Sequence, residues 1–297
     1  MKTLNGLLKE GIAVLEASGN GEARLDAWLL LEYVTEITRA YFYAHMEEAV
    51  SEEISNRYLD LCRKRAEHIP LQHLTNQAFF MGYVFYVNEH VLIPRQDTEV
   101  LVEEAEKRLK DMEQMTGAKQ LKVLDMCTGS GCILLSVLAD LENMCGVGVD
   151  ISKEALKVAE KNAGNLQVQE RVQFIESNLF FGEFFSEKDG KEPEKYDMLM
   201  SNPPYIPTAE IEELMEEVRF HDPRLALDGH EDGLYFYRII TEEAKEYLKP
   251  GGWLLYEIGC SQGEDVSALM REAGFENIAV VKDLPGLDRV VLGQRPH

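Results

Sequence analysis

The sequence contains no apolar run of membrane-spanning length, and its start, Met1-Lys2-Thr3-Leu4-Asn5-Gly6, lacks the apolar core of a secretory signal. A cytoplasmic protein is therefore expected. It has no C-x-x-C pair: its five cysteines, Cys62, Cys127, Cys132, Cys145 and Cys260, are odd in number and scattered, so they read as reduced, buried small hydrophobes. The seven histidines form no H-E-x-x-H or similar spacing, and no metal site is expected. Positive charge is scarce. Thirty Lys and Arg stand against 53 Asp and Glu, a formal net charge of -23. Such a surface repels phosphate backbones, so direct nucleic-acid binding is not expected and a basic protein partner suits it better. No internal repeat or low-complexity segment is present.

What remains is an ordinary globular composition, 45% hydrophobic and 28% charged, over 297 residues, enough for one large domain or two unequal ones. From Thr3 to about Ile69 the apolar spacing is helical. Leu4, Leu7, Leu8, Ile12 and Leu15 form one stripe, Leu25, Trp28, Leu29 and Leu31 to Tyr33 a second, and Ile54, Tyr58, Leu61 and Cys62 a third. Ser51 before Glu52 and Glu53 is a helix start, because its hydroxyl can cap and the carboxylates favour the positive end of the dipole. Pro70 is expected to close this bundle of about four helices. The bundle reads equally as a stabilising appendage or as a docking module for a macromolecular substrate. Ala78 to Val87, with Gly82, and the following Asn88 predict a short hairpin between two domains. Pro94-Arg95-Gln96-Asp97-Thr98-Glu99 then starts a helix to about Met112, and these polar residues read equally as its cap alone or as functional groups.

From Leu121 strands and helices alternate. Strands are expected at Leu121–Met126, Gly146–Asp150, Val172–Ile175, Tyr196–Met200 and Trp253–Ile258. The helices between them are expected from Gly131 to about Leu141, Ser152 to Asn162 and Gly233 to Leu248, and one after Ser261-x-x-Glu264, which fits a capping box. Ile278–Lys282 and Arg289–Leu292 are too close for a crossover and should pair antiparallel. This alternation means an α/β fold with a doubly wound, mostly parallel sheet.

Two runs in this part suggest chemistry. The strand Tyr196–Met200 leads into Ser201-Asn202-Pro203-Pro204-Tyr205-Ile206, where two prolines must stop the ladder and leave polar groups at a strand's carboxyl end, the place where open parallel sheets bind ligands. Most Pro-Pro pairs are only turns, but Asn-Pro-Pro-Tyr arises by chance in a chain this long about once in a thousand. The first strand ends Asp125-Met126-Cys127-Thr128-Gly129-Ser130-Gly131 and enters a helix, and its glycines let backbone N–H groups approach a ligand. It is not the G-x-G-x-x-G of dinucleotide enzymes. With Asp150 ending the second strand 19 residues after Gly131, the pattern fits an adenosine whose ribose needs an acceptor. The same residues can also make a tight turn and a helix cap.

Together these runs resemble the S-adenosylmethionine-dependent methyltransferases with a Rossmann-like sheet, and Asn202-Pro203-Pro204-Tyr205 resembles the motif with which members methylate planar, amide-type nitrogens. Pro94 to Glu99, Glu217-Val218-Arg219-Phe220 with Pro223-Arg224-Leu225-Ala226-Leu227, and Lys282-Asp283-Leu284-Pro285-Gly286-Leu287-Asp288-Arg289-Val290-Val291 extend the likeness. They are similar to the bacterial release factor glutamine methyltransferases of the HemK/PrmC type, over essentially the whole chain. The resemblance implies a helical substrate-docking domain at 1–75, a β-hairpin linker at 76–95 and a methyltransferase domain at 96–297. It implies S-adenosyl-L-methionine as cofactor, held by Asp125, Cys127, Thr128, Gly129, Ser130, Gly131, Asp150, Ile151, Asn178, Leu179, Asn202, Arg95 and Thr98. Asn202, Pro203, Pro204 and Tyr205 would bind the substrate, and the catalytic residues would be Asn202, Pro203 and Tyr205.

On this resemblance the Asn202 side-chain carbonyl and the Pro203 backbone carbonyl accept the two N–H bonds of a glutamine amide, Tyr205 holds its flat face, and no general base is assigned. The substrate would be the glutamine of the Gly-Gly-Gln loop in peptide chain release factors. Alternatives are a ribosomal-protein glutamine methyltransferase, a nucleic-acid exocyclic-amine methyltransferase and a non-catalytic binding module. The sequence departs from the family at three places. Cys127 replaces the loop's usual first glycine, and the loop should survive if its dihedrals are not glycine-only. Gln96 replaces a second proline or similar residue. Asn178-Leu179-Phe180 stands where an acidic residue and a Trp are frequent, so Asn178 can still hydrogen-bond while Leu179 brings no ring to stack.

Overall fold

The computed structural model describes residues 2–118, 120–186 and 193–297. Contacts divide the chain into two units: one runs to Gln77 and includes Met215–His221, and the other comprises Ala78–Leu214 and Asp222–His297.

The first unit is built from helices Leu4–Ala17, Ala23–Thr35, Arg39–Ala44, Glu52–Ala66 and Leu71–Thr75 around Leu7, Leu30, Leu31, Tyr58 and Cys62, all fully buried. Ser51 caps as expected, its Oγ accepting from the Ile54 N–H at 3.2 Å. Pro70 does not end the helical section. It precedes the short helix Leu71–Thr75, because a proline φ of -53° suits helix entry. Arg65 pairs with Asp26 at 2.7 Å and with Glu217 at 3.0 Å, which ties the helix Glu216–His221 into this unit.

The second unit carries a seven-stranded sheet: β1 (Leu121–Met126), β2 (Met144–Asp150), β3 (Val172–Glu176), β4 (Tyr196–Ser201), β5 (Leu248–Glu257), β6 (Glu276–Lys282) and β7 (Asp288–Gln294). Their order is β6-β7-β5-β4-β1-β2-β3, parallel except for β7, which runs antiparallel to both neighbours. This is the doubly wound sheet expected. β4 is buried along its whole length because both faces are covered, which is why it reads as an apolar run without alternation. Helices Glu99–Thr116 and Cys132–Asp140 contribute to the core on one face, and helices Tyr235–Tyr247 and Gly263–Glu272 to that on the other.

Three local outcomes refine the expectations. The hairpin Ala78–Phe80/Tyr83–Phe85 turns through Met81 and Gly82, both left-handed at φ 50° and 78°, as a two-residue hairpin requires. Its Phe80 and Phe85 are buried in the sheet unit's core with Leu101 and Leu134. The helix after Thr98 continues to Thr116, past Met112, until Gly117 ends it in the left-handed region at φ 64°. The capping box at Ser261 and Glu264 does not form. The helix starts at Gly263 without a side-chain cap, and Gln262 turns back to accept from the Gly259 N–H at 2.9 Å.

The strand order reverses at β1, and β1 and β4 are neighbours in the register Met126 to Ser201. A crevice opens outside the carboxyl ends of strands at such a reversal.

In the helical unit, a Cβ on Gly11 would stand 1.9 Å from the Tyr58 hydroxyl, which is itself fixed by donating to the Ala27 carbonyl at 3.1 Å. Gly11→Ala should gain about 1 kcal/mol of helix propensity and lose about 1–3 kcal/mol to overpacking. The clash outweighs the propensity, so the melting temperature should fall by about 2–4 °C. An unchanged or raised value would refute the tight packing of Tyr58 on that helix.

Candidate active site

The chain leaves β1 through Cys127, whose φ of 62° turns it sharply, and the following loop is held by its own polar groups. Thr128 donates its N–H to the Val149 carbonyl at 2.9 Å and its hydroxyl to Asp125 Oδ2 at 2.6 Å. The Gly129 N–H donates to Asp150 Oδ2 at 2.9 Å, while the other oxygen of that carboxylate accepts from the Ser152 N–H at 2.8 Å. One carboxylate thus sets both the loop and the start of the next helix. The two glycines differ in purpose. A Cβ on Gly131 would lie 2.8 Å from Leu135 Cδ1 and 3.2 Å from Ala159, so Gly131 serves close packing. A Cβ on Gly129 would meet nothing within 4 Å, so its backbone is open to an approaching ligand.

Across from this loop, β4 ends at Ser201, whose hydroxyl donates to the Met126 carbonyl at 2.6 Å. The motif beyond it is pinned from behind. Ile206 donates to the Leu227 carbonyl at 3.1 Å, Gly229 donates to the Ile206 carbonyl at 2.8 Å, and Gln262 Nε2 donates to the Tyr205 carbonyl at 3.1 Å. Gly229 and Gly233 permit this approach, since a Cβ on either would fall within 2.8 Å of the Tyr205 backbone.

Between the two loops lies a cavity of about 390 Å³. The first loop contributes Cys127, Thr128, Gly129 and Ser130, the end of β2 Asp150 and Ile151, and the turn after β3 Asn178 and Leu179. Asn202 and Pro204 come from the motif, and Arg95 and Thr98 from the segment before the helix. Asp125, Gly131, Pro203 and Tyr205 do not line it. Asp125 is fully buried beneath the loop, where it anchors Thr128 and leaves Oδ1 without a partner. Burial pushes its pKa up to about 7, the Thr128 bond opposing and the Asp150 charge adding. Burial likewise raises Asp150, and the N–H bonds from Ser152 and Gly129 oppose it. Tyr205 is pushed up to about 12, first by burial and then by the charge of Glu257, so it stays a phenol at neutral pH. Among the described residues lining the cavity, Arg95 is the only Lys or Arg.

Composition and motif reading missed three contributors. Asn162, fully buried, accepts from the Tyr86 N–H at 2.7 Å and donates to the Tyr86 and Ser130 carbonyls at 3.0 and 2.9 Å, so one amide joins the loop to the segment after the hairpin. Gln262 does the same for the second loop. His230, Tyr235 and Phe236 add an aromatic wall, with the His230 and Tyr235 rings 4.1 Å apart. The only signal for Asn162 was a polar residue on a buried helix face. Among the described residues, no group of three His, Cys, Asp or Glu could hold a metal, and no helix is long and apolar enough to cross a membrane.

Comparison with known proteins gives matches over both units. Residues 6–75 match the PrmC N-terminal domain and residues 118–272 a methyltransferase domain. The chain is 38% identical over 298 residues to the release factor glutamine methyltransferase of Clostridium acetobutylicum, covering 99% of each. It is 40% identical over 294 residues to that of Moorella thermoacetica, again over 99% of each. The solved hMettl16 catalytic domain shares the fold, with a TM-score of 0.54 over 89% of this chain and 91% of that one at 14% identity.

Asn162→Ala would leave the Ser130 carbonyl and both backbone groups of Tyr86 without their partner, a loss of about 2–4 kcal/mol at the usual cost of buried unpaired groups. Urea unfolding should show it as a lower midpoint with an unchanged slope. A change below about 0.5 kcal/mol would mean that water replaces the amide and that Asn162 does not hold the loop.

Proposed function

The chain belongs to the release factor glutamine methyltransferase family, and from this premise we propose that it moves the methyl group of S-adenosyl-L-methionine to the side-chain amide nitrogen, N5, of the glutamine in the Gly-Gly-Gln motif of a peptide chain release factor. The observation that carries the reading is that Asn202 and the Gly129 loop line one cavity from the ends of neighbouring strands.

The residues present fit such a cofactor. Gly129 leaves room for close approach, and Asp150 stands at the end of β2 with acceptor capacity for ribose hydroxyls. Ile151 and Leu179 offer apolar faces and Asn178 a polar edge. Arg95 is suited to a carboxylate. Bound there, the cofactor supplies an electrophilic methyl group on a sulfonium. Everything else falls to the chain. An amide nitrogen is a poor nucleophile because its lone pair is delocalised into the carbonyl. Acceptors at Asn202 Oδ1 and the Pro203 carbonyl orient its two N–H bonds, aim the lone pair and support the positive charge that grows on nitrogen. The methylated amide is acidic enough to lose its proton without a strong base, which agrees with a phenol held near 12 and thus not poised as one.

Labelled methyl from S-adenosylmethionine should appear on purified release factor and not on a factor whose Gly-Gly-Gln glutamine is changed to alanine. Label on both would reject the target, and label on neither would reject the substrate class. Asn202→Ala should lower kcat by about 100-fold or more while cofactor affinity stays within about threefold. Collapse of cofactor affinity would reassign that residue. The helical unit is the module we propose for gripping the body of the factor, so a short Gly-Gly-Gln peptide should show a KM at least about tenfold above that of the whole factor. Equal values would remove the docking role.

A further inference from the structure

One wall of the cavity has no part yet in holding the cofactor or the amide. His230 and Tyr235 both line the cavity and are both exposed, Tyr235 by 43%. Their ring centroids stand 4.1 Å apart at an interplanar angle of 52°, and Phe236 meets Tyr235 edge-on at 5.2 Å. Among the described residues, no hydrogen bond engages the His230 ring nitrogens or the Tyr235 hydroxyl. The pair therefore offers a ligand two flat faces together with unspent donors and acceptors.

The wall is fixed to the Asn202–Tyr205 motif. Thr208 donates its N–H to the His230 carbonyl at 2.9 Å, and the His230 N–H donates to Asp228 Oδ1 at 3.0 Å. The same carboxylate oxygen accepts from the Thr208 hydroxyl at 2.6 Å. With Ile206 bonded to Leu227 and Gly229 to Ile206, residues 227–230 run alongside 206–208, directly after the motif. His230 holds a φ of 67°, a turn that glycine adopts freely and a residue with a Cβ only at a cost. An exposed ring adds little to a core, so strain kept at this position points to a ligand rather than to packing.

We propose that His230 and Tyr235 form a specificity-determining subsite that receives the peptide group joining the two glycines of the Gly-Gly-Gln motif. A substrate whose glutamine amide meets Asn202 carries its preceding residues past the elements adjoining the motif, because each residue extends the chain by at most about 3.6 Å. The Gly-Gly peptide group is the one place in Gly-Gly-Gln with no Cβ on either side, so it can lie flat against a pair of rings. Its N–H and carbonyl stand at the edges of that plane, where the Tyr235 hydroxyl and the imidazole nitrogens can meet them. An alanine at either glycine sets a methyl out of the plane and holds the group off the rings. Selection for glycine then lies in the enzyme as well as in the release factor's own loop.

The inference rests on the glutamine-methylating reading, and its test separates the two. Full-length wild-type and Tyr235→Ala enzymes are given whole release factor with its motif intact, and two versions of the factor in which the first or the second glycine is alanine. Wild-type kcat/KM should fall at least about tenfold for either alanine version. For Tyr235→Ala, kcat/KM on the intact factor should fall about fivefold or more, while the alanine penalty shrinks to about threefold or less. Each factor is compared on two enzymes, so any effect of alanine on the factor's own loop cancels. Tyr235→Phe keeps the ring and should keep the penalty within about twofold of wild type. His230→Gly, which relieves the left-handed turn, should lower kcat/KM on the intact factor in the same way as Tyr235→Ala. Affinity for S-adenosylmethionine should stay within about threefold in every variant. A wild-type enzyme that accepts the alanine versions equally well, an alanine penalty unchanged in Tyr235→Ala, or a tenfold loss of cofactor affinity in that variant overturns the subsite alone. A wild-type enzyme that transfers nothing to the intact factor overturns the functional reading, and this inference with it.

Discussion

Two adjacent parallel strands that stop at the same level are the condition for the site. Met126 and Ser201 pair at the ends of β1 and β4, and the Ser201 hydroxyl closes onto the Met126 carbonyl at 2.6 Å. One chain then turns through Cys127 and the other is stopped by Pro203 and Pro204, so the two loops diverge and a cavity opens between them. Neither loop has a ladder of its own. Each is held by side chains that bond to backbone: Asp150 and Asn162 on one side, Gln262 on the other. Such bonds contribute only about 1 kcal/mol each when made, yet cost about 1–3 kcal/mol when a buried partner is left empty. That asymmetry keeps the loops from relaxing into the cavity.

The same burial that rigidifies the site makes its carboxylates reluctant to ionise. Asp125 and Glu257 are both pushed up to about 7 by desolvation, each with one oxygen that no protein group satisfies. From the unfolded values near 4 up to about 7, the native state holds protons that the unfolded chain has released. Stability from these two groups is therefore highest below that window and is lost as pH rises through it. A fold optimised for stability alone would replace them with apolar residues.

Three residues that carry a Cβ line the cavity in the left-handed region, Cys127, Leu179 and His230 at φ of 62°, 50° and 67°, a conformation that costs such a residue about 1–2 kcal/mol. The loop survives the absence of a glycine at Cys127 because a small side chain tolerates the left-handed turn, although the dihedral is one that glycine would adopt freely. Leu179 is 4% exposed and its carbonyl accepts from the Ser177 hydroxyl at 2.7 Å, so the turn after β3 is held where an apolar side chain, and no aromatic ring, meets the cavity.

Local chemistry was enough to read the order of strands and helices, the parallel sheet, the strand ends that border the cavity and the Ser51 cap, because apolar period, glycine, proline and capping hydroxyls act on their near neighbours. Long-range pairing decided the rest. Gln262 bonds to Tyr205 rather than yielding a capping box at Ser261, Asp125 turns beneath its loop instead of into the cavity, and Pro70 admits a further helix. Asn162 and Arg289 owe their roles to partners distant in the chain, Ser130 and Asp97. No periodicity in a single segment encodes which distant backbone group a buried amide or carboxylate will meet; that depends on the register in which β1, β4 and β5 align.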